Sequence, residues 1–175
     1  MLPVNMTISN RKRHSLPIFL AGKVTEPVYL CWLKRKADAH TRRDSKRGFL
    51  GVTRANYRDA IHDAVLRSNG RDAYTGEEMD WSLIGMYDND ASKEGRHNYK
   101  AKFASLPTVD HVEASSSLAS FVICTWRTND AKNDLNLSDF LTLCKNVLLH
   151  AGYIVNSPPT RGFRANGVKT YVKPN

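Results

Sequence analysis

Cysteine is scarce and unpaired in this chain of 175 residues, which contains three cysteines and no Cys-x-x-Cys pair. That count argues against a disulfide framework and against a zinc site with four cysteine ligands. Because Cys31, Cys124 and Cys144 all stand in apolar sequence surroundings, we expect them to be small buried hydrophobic residues.

Long apolar runs are also missing, since no stretch approaches the roughly 18–20 uninterrupted apolar residues that cross a bilayer. Residues 1–7 lack the charged start and the apolar run of a signal peptide. These absences predict a cytoplasmic protein without a membrane partner. The remaining composition, 41% hydrophobic and 25% charged, is typical of a globular protein, and the length suits one ordinary domain.

Acidic residues are rare at both ends of the chain. Residues 1–53 contain eleven Lys/Arg against three acids, residues 151–175 contain four and no acid, and residues 54–150 carry a net −3. This distribution predicts terminal segments that contact a polyanion, although a merely basic protein would share it. Such contacts would hold phosphates without reading sequence. The candidate residues are Lys34, Arg35, Lys36, Arg42, Arg43, Lys46, Arg47, Arg161 and Arg164.

The same charge pattern divides the chain into a basic N-terminal extension or arm (1–53), a central domain (54–152) and a basic C-terminal tail (153–175). Residues 1–30 are expected to be irregular, with one or two short strands. Residues 29–47 are expected to form a helix or an extended basic arm. A helix capped by Thr53 is predicted from Arg54 to about Ser68, with Tyr57, Ile61, Ala64 and Val65 buried and with Asn69-Gly70 as its end.

The second half predicts strands and helices in alternation. A tight turn is expected at Thr75-Gly76 and a polar surface loop over 86–102. β-Branched and aromatic residues then predict strands at 106–112 and 121–126, before a short helical turn at 129–133. A helix is predicted from Ser138, as its cap, to about Ala151, ending at Gly152, and the tail would form a hairpin or stay loose. The expected buried side of that helix is Phe140, Leu141, Leu143, Cys144, Val147 and Leu148.

Four segments in a fixed order contain the polar residues of most chemical interest. They are Tyr74-Thr-Gly-Glu with Trp81, Val109-Asp-His-Val, Phe121-Val-Ile-Cys-Thr-Trp, and Thr128-Asn-Asp-Ala-Lys-Asn-Asp-Leu. Together they resemble an HNH endonuclease domain, the ββα-metal or His-Me finger, over residues 72–141, about 40% of the chain. The resemblance implies an α+β fold with a finger core at about 106–150, supplemented by further helices and basic extensions.

The resemblance also implies roles for individual residues. His111 matches the general base of the family, Asp110 its first metal ligand and Asn129 the ligand on the helix. Asn133, four residues after Asn129, is a second candidate ligand because it would share the same face of a helical turn. Lys132 is a candidate phosphate contact. Oxygen donors of this kind favour Mg²⁺ or Mn²⁺.

The residue types suit the implied chemistry, under one geometric condition. An imidazole with an ordinary pKa of about 6.5 accepts a proton from water near neutral pH. Neighbouring side chains on a strand point to opposite faces. Asp110 and His111 can therefore act on one phosphate only where the strand ends or twists.

Two departures from the family pattern stand in the sequence. The middle asparagine of the family is replaced at about Ser120, and serine supplies only part of its hydrogen bonding. Asp72, Thr75, Thr125 and Thr128 stand where many members have cysteine knuckles, so no structural zinc is expected. Packing by Trp81, Phe121, Trp126 and the 138–150 helix would replace it.

The sequence therefore predicts a divalent-metal-dependent endonuclease acting on double-stranded DNA. A non-catalytic nucleic-acid-binding protein on the same scaffold is the alternative, favoured by Ser120, and an RNA-directed nuclease remains open. Paired cuts by one site per chain would require a homodimer, but no interface can be recognised in the sequence.

Overall fold

Five α-helices and two antiparallel pairs of strands form a mixed α+β structure in the described part of the chain. The structure, a computed structural model, describes residues 14–112 and 120–156, together with the backbone of two short strands near the C-terminus. The helices are α1 (Glu26–Lys46), α2 (Arg54–Ser68), α3 (Asn89–Lys102), α4 (Trp126–Lys132) and α5 (Leu137–His150), and the strands are β1 (Pro107–His111), β2 (Phe121–Thr125), β3 (Arg164–Ala165) and β4 (Val168–Lys169). Short 3-10 turns lie at Ile18–Leu20 and Trp81–Gly85. The predicted α+β class is confirmed.

The first helix, α1, is part of the hydrophobic core and not an extended arm. Its buried residues recur every three or four positions: Tyr29, Trp32, Leu33, Ala37, His40 and Asp44. The predicted helix is confirmed, but it begins earlier, because a proline at its first turn suits the fixed backbone there. The short strands expected before residue 30 are wrong for residues 14–30, where the chain forms a 3-10 turn and then α1.

The second helix, α2, matches its prediction closely. Thr53 accepts a hydrogen bond from the Asn56 amide at 3.1 Å as N-cap, and Asn69 and Gly70 follow the helix with positive φ angles of 46° and 82°. The four residues predicted to be buried are buried and pack against α1. Strong capping signals at both ends explain why the local sequence sufficed.

The predicted surface loop at 86–102 is wrong, because residues 89–102 form the helix α3. Asp88 caps α3 by accepting from the amides of Asp90 at 2.7 Å and Ala91 at 2.9 Å. Tyr99 then packs on Tyr87 and Phe103, with ring centroids 5.7 Å and 4.7 Å away. These aromatic contacts anchor a helix whose polar composition predicts a loop.

The hairpin is followed at once by a helix. β1 and β2 pair antiparallel, with Asp110 opposite Val122 and His111 opposite Phe121. Both predicted strands are confirmed, but Trp126 already begins α4, so the predicted helical turn at 129–133 starts three residues earlier. Thr125 ends β2 and caps α4 by accepting from the Thr128 amide at 3.1 Å. All five residues of β2 are buried.

The last helix, α5, has the predicted length but not the predicted buried side. Asn136, not Ser138, is its cap, accepting from the Asp139 amide at 2.9 Å, and Gly152 follows it with φ 86°. No residue of α5 is buried within the part of the chain that the structure describes. Its ring contact there joins Phe140 to Tyr74. An amphipathic pattern predicts burial only where a partner surface is present.

Trp81 and Phe121 are buried as expected, and Trp126 packs at the edge of the core. The expectation that all three cysteines are buried is correct only for Cys124, since Cys31 is exposed and Cys144 is partly exposed.

In the C-terminal tail, Arg164 pairs with Lys169 and Ala165 with Val168. Of the two alternatives predicted for the tail, a hairpin or a loose segment, this pairing agrees with the hairpin. The predicted boundary at residue 53 falls between α1 and α2, two helices that share one core.

Candidate active site

Asp110 and His111 are the last two residues of β1, and their side chains lie on opposite faces of the hairpin. Burial alternates along the strand, with Val109 and His111 buried and Thr108 and Asp110 partly exposed. This is the alternation that a regular strand imposes. The strand ends at His111, so the condition that β1 should end at this pair is met.

The Asp110 carboxylate is held by a tyrosine and a lysine. Tyr74 donates its hydroxyl to Oδ2 at 2.6 Å, and the Lys132 ammonium lies 2.9 Å from the same oxygen. Lys132 is only 5% exposed, which makes this ion pair internal. Burial, followed by the nearby Asp110 charge, raises the pKa of Tyr74 well above its usual range, so this hydroxyl remains a donor.

The other oxygen of Asp110, Oδ1, makes no hydrogen bond to any residue that the structure describes. One oxygen of this carboxylate is therefore bonded to Tyr74 and Lys132, and the other has no partner among the described residues.

Tyr74 is positioned by Asp72, a residue whose importance the sequence does not indicate. One Asp72 oxygen accepts from the amides of Tyr74 at 2.7 Å and Thr75 at 3.1 Å, and the other accepts from the Thr125 amide at 2.7 Å. The turn closes through the Gly76 amide, which donates to the Asp72 carbonyl at 3.0 Å and has φ 74°. Asp72 thereby ties the predicted Thr75-Gly76 turn to the start of α4. An Asp that opens a turn is the available sequence signal.

Asn129 lies on α4, three residues before Lys132, and residues at that spacing share a helix face. Since Lys132 contacts Asp110, this face of α4 is turned toward the Asp110 carboxylate. The Asn129 side chain is partly buried and makes no hydrogen bond among the described residues. Asn133 is outside the helix as its C-cap, with φ 50°, and is exposed. It therefore does not share a helical face with Asn129 as expected.

His111 contacts a buried carboxylate on α1. Its Nε2 lies 2.8 Å from Oδ2 of Asp44, which is 0% exposed, and Tyr57 donates its hydroxyl to the same oxygen at 2.6 Å. Burial, the largest influence, opposes ionisation of Asp44, but the hydrogen bonds from Tyr57 and His111 prevail and lower its pKa. An ionised Asp44 accepts the proton of Nε2, which leaves Nδ1 as the basic nitrogen of His111.

The rings of His40 and Phe121 enclose the same imidazole, with centroids 5.0 Å and 4.9 Å from that of His111. Burial, followed by the Arg43 charge, lowers the pKa of His40 to about 3. His40 is therefore neutral at physiological pH. Asp44 and His40 are four residues apart on α1, and this spacing is the only sequence signal for the pair. The many lysines and arginines around them make that signal difficult to recognise.

The predicted phosphate-binding residues differ in their surroundings. Five of them, on or just after α1, are exposed: Lys34, Arg42, Arg43, Lys46 and Arg47. Arg35 is exposed but donates to the Ile84 carbonyl at 3.3 Å, whereas Lys36 is partly buried and donates to Thr108 at 3.0 Å. Arg161 lies outside the described residues, and of Arg164 only the backbone pairing in β3 is described.

No group of three or more His, Cys, Asp or Glu side chains that could hold a metal ion occurs in the described part of the chain. Within those residues, the donors that the sequence predicted for a divalent cation are the Asp110 carboxylate and the Asn129 carboxamide, to be completed by water. That donor set suits Mg²⁺, which retains several waters and takes one or two protein carboxylates.

Comparisons with protein-family models, with curated proteins and with solved structures found no match for this chain. None of the helices within the described residues is long and apolar enough to cross a membrane.

Proposed function

We propose that this protein is a metal-dependent HNH endonuclease that hydrolyses DNA phosphodiester bonds, with β1, β2 and α4 as its ββα-metal core. The observation that best supports the proposal is the ion pair between Lys132 and Asp110. It joins the helix after the hairpin to the strand end that carries Asp110 and His111, and it turns the face of α4 that includes Asn129 toward them.

In this proposal the side-chain oxygens of Asp110 and Asn129 would hold Mg²⁺ or Mn²⁺. Asn133, the further ligand predicted from the sequence, is not assigned this role, because it lies outside the helix and does not share the face of Asn129. The Asp110 carboxylate accepts a cation, because the Lys132 ammonium lies 2.9 Å from Oδ2 while Oδ1 has no hydrogen-bond partner among the described residues. When bound, the metal supplies Lewis-acid stabilisation of the charge on the phosphate and on the leaving oxygen. Lys132, once released from Asp110, can contact the phosphate.

His111 acts as the general base. Its Nε2 proton is held by Asp44, so Nδ1 takes the proton from a water molecule whose oxygen attacks phosphorus. Cleavage of the bond to the 3′-oxygen gives 5′-phosphate and 3′-hydroxyl ends. Asp44 orients the imidazole and stabilises its protonated form, and it touches neither water nor substrate.

The proposed substrate is double-stranded DNA in the cytoplasm. Support comes from the exposed cations of α1, which stand on the outer side of a helix whose other side is buried. Such a row binds a phosphate backbone through counterion release, so we expect binding that weakens steeply with salt.

A non-catalytic nucleic-acid-binding protein is the second candidate. It is favoured by the internal Lys132–Asp110 pair, which neutralises the carboxylate without a metal, and by the burial of His111, which is 8% exposed. In that case both residues would stabilise the hairpin and would take no part in chemistry.

The test is cleavage of supercoiled plasmid with Mg²⁺, with Mn²⁺ and with chelator. We compare the unchanged protein with His111→Ala and with the matched control His150→Ala, which alters an exposed histidine on α5. Nicking that requires metal, survives in the control and is lost in a His111→Ala variant that is still folded at the assay temperature supports the enzyme.

Salt-sensitive DNA binding without cleavage under any metal would refute the nuclease and favour the second candidate. Cleavage of structured RNA but not of DNA would contradict the substrate and retain the chemistry. Asp110→Asn separates the candidates further, since it should abolish metal-dependent nicking in an enzyme and leave DNA binding intact.

A further inference from the structure

A cavity of about 260 Å³ lies on the face of the hairpin that carries Asp110. Its walls come from α1, from β1, from the start of α4 and from the segment before α3. The residues that matter are Trp32, Arg35, Lys36, Tyr87, Thr108 and Trp126. Two cations and three aromatic rings thus surround one space, and nothing in the proposed chemistry uses it.

Lys36 is the unusual member of this lining. Its ammonium donates to the Thr108 hydroxyl at 3.0 Å, and it forms no ion pair with any residue that the structure describes. Burial and the neighbouring Arg35 charge lower the pKa of Lys36 to about 8. A partly buried cation without an acidic partner is destabilising unless an anion joins it.

Trp126 offers a flat, fixed wall on the other side. Its indole Nε1 donates to Asp130 at 2.9 Å, and the Tyr87 ring meets it edge-on at 5.1 Å between centroids. The Lys100 ammonium lies 5.7 Å from the indole centroid. An aromatic ring held in this way is a suitable surface for stacking a nucleobase.

The cavity is close to the proposed cleavage site. Thr108 and Asp110 are two residues apart on β1 and share a face, which places them about 7 Å apart along the strand. One nucleic-acid strand can therefore reach both positions.

We propose that this cavity binds a single nucleotide of the DNA strand next to the bond that is cut, with its phosphate on Lys36 and Arg35 and its base against Trp126. The position of the nucleotide beside the cleaved bond rests on the proposed function. The cavity and its charged lining do not depend on that function. A nucleotide supplies both features that the lining demands, an anion for the lysine and a flat ring for the indole.

The experiment titrates the full chain with thymidine 5′-phosphate, with thymidine and with inorganic phosphate, and follows the tryptophan indole N–H signals by NMR. Trp81 is buried outside the cavity lining and serves as the internal reference, whereas Trp126 is partly exposed in the lining. We expect the nucleotide to shift the Trp126 signal, and thymidine or phosphate alone to bind about tenfold more weakly.

The variant Lys36→Met should weaken nucleotide binding about tenfold, because it removes one charge-assisted contact. Lys145→Met, an exposed lysine on α5, is the matched control. Because Lys36 has no acidic partner among the described residues, its replacement should stabilise the fold. A urea midpoint no lower than that of the control then shows that lost binding does not result from unfolding.

Equal affinity in Lys36→Met and the control, or equal binding of phosphate and nucleotide, would overturn the proposal. Nucleotide binding in a protein that nicks no plasmid would preserve the cavity and refute the nuclease. Plasmid nicking that is unaltered by Lys36→Met, with no response of the Trp126 signal, would support the nuclease and refute nucleotide binding in the cavity.

Discussion

Replacing Lys36 with methionine should make the free protein more stable. Lys36 has the Thr108 hydroxyl as its hydrogen-bond acceptor and no acidic partner among the described residues. Burial is the main reason that its pKa falls from 10.5 to about 8, and the charges of Arg35 and Arg43 add to it. Methionine has a similar length and leaves no charge in this place.

The magnitude follows from the pKa difference between the folded and unfolded chains. A fall from 10.5 to about 8 corresponds to about 3 kcal/mol of destabilisation at neutral pH. The methionine variant also loses the hydrogen bond to Thr108, worth about 1 kcal/mol. We therefore expect a net gain of about 1–2 kcal/mol in the free energy of unfolding.

The same difference in the pKa of Lys36 between the folded and unfolded chains determines how the free energy of unfolding depends on pH. Between pH 8 and 10.5 the unfolded chain holds the Lys36 proton more tightly than the folded one, so stability rises with pH in that window. In the unchanged protein we expect the free energy of unfolding to rise by about 1.5 kcal/mol from pH 8 to 9.5. In Lys36→Met the titration of residue 36 makes no such contribution. Above pH 10 the trend reverses, because burial raises the pKa of Tyr29, Tyr57 and Tyr74 in the fold.

The assay is urea unfolding at pH 7, 8, 9 and 9.5, with Lys145→Met as the control that keeps Lys36. The two curves of stability against pH should converge toward the upper end of this range. A methionine variant that is less stable than the control at pH 7 would refute the reasoning. So would identical pH dependence in the two proteins.

Three further predictions concern the two faces of the hairpin and α5. Asp44→Asn should lower the free energy of unfolding by about 2 kcal/mol, because it weakens two buried hydrogen bonds to a charged acceptor; an unchanged urea midpoint would contradict this. Lys132→Met should tighten Mn²⁺ binding at Asp110, because it removes the ammonium that competes for the carboxylate. An unchanged Kd for Mn²⁺, measured by electron paramagnetic resonance, would argue against a metal at Asp110. Changing Leu141 and Leu148, each 41% exposed, together to glutamine should alter stability by less than about 0.5 kcal/mol; a loss like that of a buried leucine would show a packed face.

The elements that the sequence predicted correctly are those with complete local signals. Thr53 and Asn69-Gly70 specify both ends of α2, and β-branched and aromatic residues specify β1 and β2. The helix α3 was not predictable in this way, because its polar composition is offset by a few aromatic contacts formed only in the fold. The burial of α5 was wrongly predicted for the opposite reason, since its local pattern is clear but no described surface covers it.

The candidate site shows the same division between local and distant information. Asp110 and His111 are recognisable because they are neighbours, whereas their hydrogen-bond partners are 36 and 67 residues away, at Tyr74 and Asp44. Asp44 is further concealed by the many cations of α1, which make a core helix look like a solvent-exposed arm. Charge composition describes the outer side of that helix and gives no information about its buried side.

The two faces of the hairpin have different charged neighbours, and this difference follows from the alternation of β1. Lys132 and Lys36 approach the face of Asp110 and Thr108, while a buried carboxylate, Asp44, approaches the face of His111. Cations on one face suit a phosphate, and an acid on the other suits a base that must become protonated. Under the proposed function, the phosphate that is cut must therefore lie at the end of β1, where the strand stops and both side chains can reach it. A bound strand placed farther along β1 would contact the cations and Trp126 without His111, and the protein would then bind DNA without cutting it.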